Sequence, residues 1–167
     1  MVNKKILFVC MGNICRSPAA ETIMTSLIKK DNLENSLVVD SAGTIDYHTG
    51  ESADPRMRKQ AALRNYDIVH RARAFNPKTD FDKFDYIITM DNHNYEAISV
   101  WDQDKKYRDK IFKMTTFSSK YNIDEVPDPY YHGTEGFDYV LNILEDACSG
   151  LLSKVKNEIG QSNKGKD

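Results

Sequence analysis

The sequence predicts one α/β domain in which a four-stranded parallel sheet lies between two layers of helices. Three observations support this fold class. Four short apolar segments alternate with segments of helical period, 167 residues are enough to bury one core, and no internal repeat divides the chain. The domain is predicted over residues 1–160, followed by a flexible tail over 161–167.

The first unit of the chain is predicted to be a strand, a tight loop and a helix. Residues 6–10 form a short apolar run that is typical of a buried strand. Ser17 is a preferred N-cap and Pro18 a preferred first helical residue, and apolar residues follow at helical spacing as far as Lys30. Cys10 therefore ends the first strand, where ligands bind in sheets of this kind.

Further strands and helices alternate along the rest of the chain. The strands are predicted at residues 37–41, 84–90 and 111–114. The helices are predicted at residues 55–64, from residue 91 onward, and at residues 137–159. Asp54 and Asp91 stand where N-caps belong. Two long loops, residues 42–55 and 126–133, carry polar and aromatic side chains.

Composition and charge restrict the function. The formal net charge of −2 provides no basic field for nucleic acid or an anionic membrane, so a phosphate site must concentrate its positive potential locally. No stretch approaches the roughly 20 apolar residues of a membrane span, and the run after Lys5 is too short for a signal peptide. Three cysteines do not fit a secreted disulfide framework, and four scattered histidines lack zinc spacing. We predict a cytoplasmic protein that uses no metal and binds neither nucleic acid nor membrane.

The loop after the first strand is suited to bind a tetrahedral oxyanion. Successive backbone N–H groups in a tight turn before a helix form an anion nest. Gly12 permits close approach of the backbone, and Asn13 tolerates a left-handed conformation. The guanidinium fork of Arg16 matches two phosphate oxygens. The residues of the predicted phosphate-binding loop, besides Cys10 and Arg16, are Met11, Gly12, Asn13, Ile14, Cys15 and Ser17.

Cys10 lies at the bottom of this predicted nest and is the candidate nucleophile. The helix N-terminus and Arg16 both favour its thiolate, and Ser17 is placed to donate a hydrogen bond to the sulfur. A thiolate beneath a bound phosphoryl group can attack it in line, which predicts a cysteinyl-phosphate intermediate. A cysteine at the end of a buried strand is more often an inert core residue. The complete run from Val9 to Pro18 favours the nucleophile.

Asp128 is the candidate proton donor. A carboxylic acid can protonate the departing phenolate oxygen and, once ionised, activate water against the phosphoenzyme. Pro127 and Pro129 stiffen its loop, although an Asp-Pro turn without a catalytic role is the commoner explanation of such a sequence. Tyr130 and Tyr131, next in the chain, are interpreted either as a cleft wall that stacks on an aryl ring or as partly buried core residues.

These motifs resemble those of the low-molecular-weight protein tyrosine phosphatases. The resemblance rests on Val-Cys-x-Gly-Asn-Ile-Cys-Arg-Ser-Pro near the N-terminus and on Asp-Pro-Tyr-Tyr from Asp128 to Tyr131, and it covers the chain apart from its tail. It implies a flavodoxin-like sheet in the order 2-1-3-4 and hydrolysis of phosphotyrosine proteins without a cofactor. It also implies inhibition by phosphate and oxyanion analogues, and a monomer or weak homodimer. The catalytic residues that it implies are Cys10, Arg16 and Asp128.

The resemblance also implies supporting residues around the loop. Asn13 is expected to hold backbone carbonyls, while Ser41 and His70 support the loop, with His70 bonding Ser17. For His70, a satisfied buried histidine is an equally good interpretation. Asp91 either bonds toward the loop or only caps the helix that follows it.

Three further residues near the loop are assigned by the resemblance. Tyr47 and His48 match a variable aromatic position that lines the second wall of the cleft, and a slot between aromatic walls would leave phosphoserine too short to reach Cys10. Cys15 either forms a protective disulfide with Cys10 upon oxidation or only fills space in the loop.

Three alternative functions compete with tyrosine phosphatase activity. An arsenate reductase of this fold needs further thiols downstream, but residues 70–130 contain no cysteine. Related arginine phosphatases carry threonine at the position of Ile14, where a β-branched apolar residue suits an aryl ring better. A catalytically inactive phosphotyrosine-binding module is disfavoured because the nucleophile, the arginine and the acid are all present.

Overall fold

The computed structural model describes residues 4–165 and contains four strands and five α-helices in that range. The strands are β1 (Lys4–Cys10), β2 (Leu37–Gly43), β3 (Tyr86–Thr89) and β4 (Ile111–Lys113). The helices are α1 (Arg16–Lys30), α2 (Pro55–Ala62), α3 (Asp80–Lys83), α4 (Asn92–Trp101) and α5 (Thr134–Lys164). Two short 3-10 helices, Arg108–Lys110 and Met114–Phe117, flank β4.

The sheet is parallel throughout and has the strand order β2-β1-β3-β4. This confirms the predicted α/β class and the order 2-1-3-4. Every strand was expected within two residues of its bounds; β4 ends one residue earlier than predicted because a 3-10 helix begins at Met114. The short helix α3 and both 3-10 helices were not predicted, since segments of three or four residues carry too little periodicity.

Two hydrophobic cores cover the two faces of the sheet. Successive side chains of β1 point to opposite faces, so Ile6 and Phe8 enter one core while Leu7 and Val9 enter the other. The first core is filled from α1, α2 and α5, and the second from α3 and α4. The molecule is therefore the three-layer domain that the alternation of elements predicts.

Helix α5 is longer than predicted. It continues to Lys164, so the predicted helix end at residue 159 is wrong, while the domain boundary at residue 160 stays a prediction. Residues 161–164 of the expected flexible tail are helical; the last two residues of that tail, 166 and 167, lie outside the described residues. An isolated glycine such as Gly160 costs a helix only about 1 kcal/mol relative to alanine, which is why it does not end this one.

Helix α1 begins two residues earlier than predicted, and Ser17 is not its N-cap. The N-cap position is Cys15, which makes no side-chain capping bond. Ser17 lies inside the helix and its hydroxyl is used elsewhere, as described below. The other two predicted caps are confirmed: Asp54 accepts a hydrogen bond from Arg56 N, and Asp91 forms a capping box with Asn94. Among residues 4–165, no helix is both long and apolar enough to span a bilayer.

Candidate active site

The loop between β1 and α1 begins after Cys10 and ends at Arg16, at the carboxyl edge of the sheet. It passes through Asn13 with a φ of 57°, which is the left-handed conformation that asparagine tolerates. Gly43 lies opposite Cys10 in the register of β1 and β2. A Cβ atom at Gly43 would lie 2.7 Å from the carbonyl oxygen of Met11, so glycine leaves the space that the loop occupies.

A series of side-chain hydrogen bonds leads to the sulfur of Cys10. Ser17 Oγ lies 3.0 Å from Cys10 Sγ, as expected. The amide nitrogen of Asn13 donates to Ser17 Oγ at 2.8 Å and to Ser41 Oγ at 3.0 Å. Because this nitrogen can only donate, both hydroxyls accept from it and direct their own hydrogens elsewhere. When Cys10 is a thiolate, the Ser17 hydrogen is therefore directed to the sulfur, and that of Ser41 goes to Glu21 Oε2, 2.7 Å away.

Two predicted contacts of this network are wrong. Asn13 was expected to hold backbone carbonyls, but its Oδ1 accepts from the backbone N–H of Arg73 at 2.9 Å and lies 2.8 Å from His70 Nε2. Since an amide oxygen only accepts, Nε2 carries a hydrogen. His70 was expected to bond Ser17, yet that hydroxyl oxygen already accepts from Asn13. The other ring nitrogen of His70, Nδ1, lies 3.1 Å from Glu21 Oε2.

Arg16 is held rigidly beneath the loop, with a side chain only 3% exposed. Its Nη1 donates to Asp91 Oδ2 at 2.7 Å and to the carbonyl of Val126 at 3.0 Å. Burial alone would disfavour the charged guanidinium, but the negative charges of Cys10 and Asp91 raise the pKa of Arg16 above its ordinary value. Asp91 thus fulfils both of its alternative roles, since its other oxygen accepts from Asn94 N at 2.8 Å.

The structure brings Asp128 to the loop of Cys10, although 118 positions separate the two residues in the chain. Its carboxylate is 40% exposed, and Oδ2 lies 3.5 Å from Arg16 Nη2. The other oxygen, Oδ1, accepts from the backbone N–H of Tyr130 at 3.0 Å. Arg16, which is itself a residue of the phosphate-binding loop, therefore also contacts the loop of the candidate acid.

A cleft of about 240 Å³ opens above Cys10 between aromatic side chains. The rings of Tyr47 and His48 stand edge to face on one side, 4.8 Å apart, and those of Tyr130 and Tyr131 stand 5.0 Å apart on the other. Tyr131 is 90% and Tyr47 79% exposed, so neither is a core residue. The other predicted residues that line the cleft are Met11, Gly12, Ile14, Cys15, Arg16 and Asp128.

The three cysteines are all free and buried, in three different settings. Cys10 forms the floor of the cleft. Burial, and after it the negative charges of Asp54 and Cys10, raise the pKa of the Cys15 thiol, although Cys15 borders the same cleft. Cys148 lies wholly inside the core, where its thiol faces the carbonyl of Ala20 at 3.6 Å and burial raises its pKa.

One cluster within residues 4–165 brings together the ligand types of a metal site: Glu21, Asp40 and His70. Its carboxylate oxygens already accept hydrogen bonds from fixed donors. Glu21 Oε2 accepts from Ser41 Oγ, Asp40 Oδ1 accepts from Ser41 N at 2.8 Å, and Asp40 Oδ2 accepts from Arg73 at 3.0 Å. The cluster therefore fits a hydrogen-bond network around Asn13 better than a cation site.

Four residues of the site and its supports escaped the sequence analysis: Glu21, Ile45, Arg56 and Arg73. Ile45 borders the cleft, Glu21 and Arg73 complete the network of Asn13, and Arg56 donates to the carbonyl of Tyr130 at 2.9 Å. Glu21, Arg56 and Arg73 bond partners that lie 20 to 74 positions away in the chain. Ile45 lies in a segment without regular secondary structure. The sequence offered one signal for these residues, which is the separation of only two positions between Asp54 and Arg56 at the start of α2.

Comparison with known proteins agrees with this geometry. The family model described as low molecular weight phosphotyrosine protein phosphatase matches residues 5–162. A relative from Synechocystis is 46% identical over 155 residues, which cover 93% of this chain and 98% of the relative.

Solved structures agree as well. A protein tyrosine phosphatase from Entamoeba histolytica, crystallised with HEPES in its active site, is 46% identical, with a TM-score of 0.88 over 93% of this chain and 99% of that chain. A Drosophila protein described as an arginine phosphatase is 29% identical, with a TM-score of 0.82 over 92% of this chain and 98% of that chain. The chain belongs to the low molecular weight phosphotyrosine protein phosphatase family and is a hydrolase of the protein-tyrosine-phosphatase class.

Proposed function

We propose that this protein hydrolyses phosphotyrosine in protein substrates through a phosphorylated Cys10. The observation that carries the proposal is the position of Arg16, which is fixed by Asp91 and reaches Asp128 above the same cleft in which the Cys10 sulfur lies. A nucleophile, an oxyanion-binding cation and a proton donor thus face one space. None of the three is sufficient alone.

In the proposed first step, the thiolate of Cys10 attacks phosphorus while the bond from phosphorus to the phenolic oxygen breaks. Asp128, in its carboxylic acid form, gives its proton to that departing oxygen. Arg16 and the backbone N–H groups of the loop bind the three remaining phosphoryl oxygens, over which the negative charge is spread in the transition state. The products of this step are tyrosine and a cysteinyl phosphate.

In the second step, the Asp128 carboxylate takes a proton from water as the water oxygen bonds to phosphorus and the bond from sulfur to phosphorus breaks. Inorganic phosphate leaves and the thiolate is restored. Ser17 directs its hydrogen to the sulfur, so it stabilises the negative charge that the leaving sulfur acquires. We therefore expect phosphate and other tetrahedral oxyanions to inhibit by occupying the same loop.

The depth of the cleft supports an aryl phosphate as the substrate. Cys10 on the floor is 3% exposed, whereas Tyr47 and Tyr131 on the rim are largely exposed. An aromatic ring between these walls carries its phosphate down to the sulfur, and the short side chain of phosphoserine does not span that distance. The substrates that we propose are proteins that contain phosphotyrosine.

The remaining site residues receive supporting roles in this proposal. Asn13, Ser41 and His70 keep the loop in its anion-binding shape, and Asp91 orients Arg16. Cys15 borders the cleft beside Cys10 and is proposed to trap an oxidised Cys10 as a reversible disulfide. Free thiols suit a reducing compartment, so we propose a cytoplasmic enzyme that acts as a monomer or weak homodimer.

The experiment that tests this proposal is hydrolysis of a phosphotyrosine peptide in the presence of a metal chelator. Activity that survives the chelator and disappears in Cys10→Ser supports a metal-independent thiolate mechanism. Equal activity of wild type and Cys10→Ser contradicts it.

Arginine phosphatase activity is the second candidate, because a structural relative is described by that activity. Ile14, where the related arginine phosphatases are expected to carry threonine, lines the cleft with an apolar side chain. It offers no hydroxyl to a phosphorylated guanidinium. We expect phosphotyrosine peptides to have the higher kcat/KM in a side-by-side assay, and faster turnover of phosphoarginine peptides would overturn that assignment.

A further inference from the structure

The loop that carries Asp128 lies between two open spaces. The catalytic cleft borders one side of residues 127–132, and a groove of about 630 Å³ borders the other, lined in part by Pro127, Pro129 and Tyr139. Pro129 is buried, but Asp128 is exposed, so side-chain packing holds part of the loop and leaves the carboxylate of Asp128 open to solvent. Few hydrogen bonds join this loop to the rest of the protein, and we expect the position of that carboxylate to depend on them.

Arg56 makes the shortest of those bonds. In the portion of the chain that the structure describes, two hydrogen bonds reach residues 127–132 from outside the loop. Arg16 Nη2 approaches Asp128 at 3.5 Å, which is the outer limit of a hydrogen bond, whereas Arg56 Nη1 donates to the carbonyl of Tyr130 at 2.9 Å. The Arg56 guanidinium also lies over the ring of Tyr130, 5.1 Å from its centroid.

Arg56 is in turn fixed to the phosphate-binding loop through Asp54. Its Nε and Nη2 donate to the two oxygens of Asp54, at 3.0 Å and 2.8 Å, in the paired geometry that orients a guanidinium most firmly. The backbone N–H of Asp54 donates to the carbonyl of Ile14 at 2.8 Å. One continuous series of bonds thus runs from the phosphate-binding loop to Tyr130, whose own N–H binds Asp128 Oδ1.

We propose that Arg56 is a positioning residue for the general acid: it fixes the Asp128 loop relative to Cys10 and so sets the efficiency of leaving-group protonation. Arg56 is not in contact with the phosphoryl group in this proposal, and it acts only through the carbonyl and ring of Tyr130. The inference rests on the proposed phosphatase function. It predicts that loss of Arg56 harms the reaction where protonation matters most and leaves phosphate binding unchanged.

The test compares two substrates that differ in their need for an acid. The phenolate of phosphotyrosine is a poor leaving group, whereas that of p-nitrophenyl phosphate leaves with little protonation. Arg56→Ala is expected to lower kcat/KM for a phosphotyrosine peptide by about tenfold or more, because small misplacements of a catalytic group are costly. The loss on p-nitrophenyl phosphate is smaller, and the inhibition constant of inorganic phosphate changes by less than about twofold.

Arg58 provides the matched control, since it is an exposed arginine two positions further along α2. Arg58→Ala is expected to stay within about twofold of wild type in all three measurements. Arg56→Lys keeps the positive charge but has one nitrogen in place of a fork, so it is expected to recover only part of the lost activity. If Arg56→Ala does not fold, as judged by thermal unfolding, Arg56→Lys is used for the same comparison of substrates.

A double-mutant cycle decides whether Arg56 acts through Asp128. In an Asp128→Ala background there is no acid to position, so Arg56→Ala is expected to add less than about twofold to the loss. Independent, multiplying losses overturn the proposal, and so do equal losses on both substrates accompanied by weaker phosphate inhibition. If wild type hydrolyses neither substrate, the proposed function fails. If wild type hydrolyses both and Arg56→Ala behaves like Arg58→Ala, only the positioning role fails.

Discussion

Replacing Ser17 by alanine removes a single buried oxygen atom, which lies 3.0 Å from the sulfur of Cys10. The hydrogen bond that is lost strengthens as the sulfur leaves phosphorus and becomes a thiolate, so it acts on the transition state of the second step. Hydrogen bonds to charged groups contribute about 1.5–3 kcal/mol. Since 1.36 kcal/mol corresponds to about tenfold in rate, we expect Ser17→Ala to lower kcat by about ten- to hundredfold.

The same variant is also expected to be less stable. One hydrogen of the Asn13 amide loses its acceptor, and a buried donor without a partner costs about 1–3 kcal/mol. The exposed Ser26 on the same helix provides the control, and Ser26→Ala is expected to stay within about 0.5 kcal/mol of wild type.

The assay is stopped-flow hydrolysis of p-nitrophenyl phosphate, in which the burst of nitrophenolate reports the first step and the steady state reports the second. We expect Ser17→Ala to retain the burst and to slow the steady state. A steady-state rate within about twofold of wild type would refute the inference that the Ser17 hydrogen points to the sulfur, because that bond would then contribute less than about 0.5 kcal/mol.

Five other substitutions test separate parts of the structure. Cys10→Ser is expected to abolish turnover while still binding inorganic phosphate, measured by calorimetry, and Asp128→Ala to lower kcat/KM for phosphotyrosine by roughly two to four decades. Gly150→Ala places a Cβ atom against the carbonyl oxygen of Phe117 and is expected to lower the free energy of chemical unfolding by about 1–3 kcal/mol. At Gly160 the new Cβ atom meets nothing within 4 Å, so Gly160→Ala is expected to raise the free energy of unfolding by about 0.5–1 kcal/mol. Burial alone would raise the pKa of the Asp146 carboxyl, but hydrogen bonds from Ser118 and from the backbone N–H of Lys120 outweigh burial and hold that pKa below its ordinary value. The carboxylate therefore stabilises the folded protein above about pH 4, and this stabilisation is lost as the pH falls through the lowered pKa. Asp146→Ala is therefore expected to lower the Tm at pH 7, and a deficit that stays constant down to pH 2 would contradict this assignment.

The sequence was sufficient to predict the architecture, because each element carries its own local signal. The apolar run before Cys10 and the Ser17-Pro18 pair marked the first strand and the start of the first helix within a residue or two. The end of α5 was missed, since Gly160 resembles a helix terminus and only the continuous backbone to Lys164 shows otherwise.

Contacts within the active site were less predictable than its residues. The contact of Ser17 with Cys10 followed from a separation of seven positions in one loop, and it was correctly expected. His70 was assigned to the right network but to the wrong partner, because the choice between Ser17 and Asn13 depends on which lone pairs are already occupied. That occupancy is a property of the folded network.

The contact of Arg56 with the Asp128 loop could not be predicted from sequence motifs. It belongs to no recognised motif, and its partner Tyr130 lies 74 positions away. The role that we propose for it rests on the two spaces beside the Asp128 loop together with the small number of hydrogen bonds to that loop, which only the folded structure shows. Residues that hold a catalytic loop from outside are difficult to identify because a single hydrogen bond leaves no periodic pattern in the sequence.

The central claim is that a phosphoryl group passes through Cys10, and trapping that intermediate tests it most directly. Wild-type protein turning over p-nitrophenyl phosphate is quenched in acid within milliseconds, digested, and analysed by mass spectrometry for phosphorylated peptides. We predict a phosphoryl group on the peptide that contains Cys10. The fragment ions of that peptide are expected to locate the phosphoryl group on Cys10 and not on Cys15. Steady turnover with no phosphorylated cysteine, or with the phosphoryl group on another residue, would contradict the mechanism.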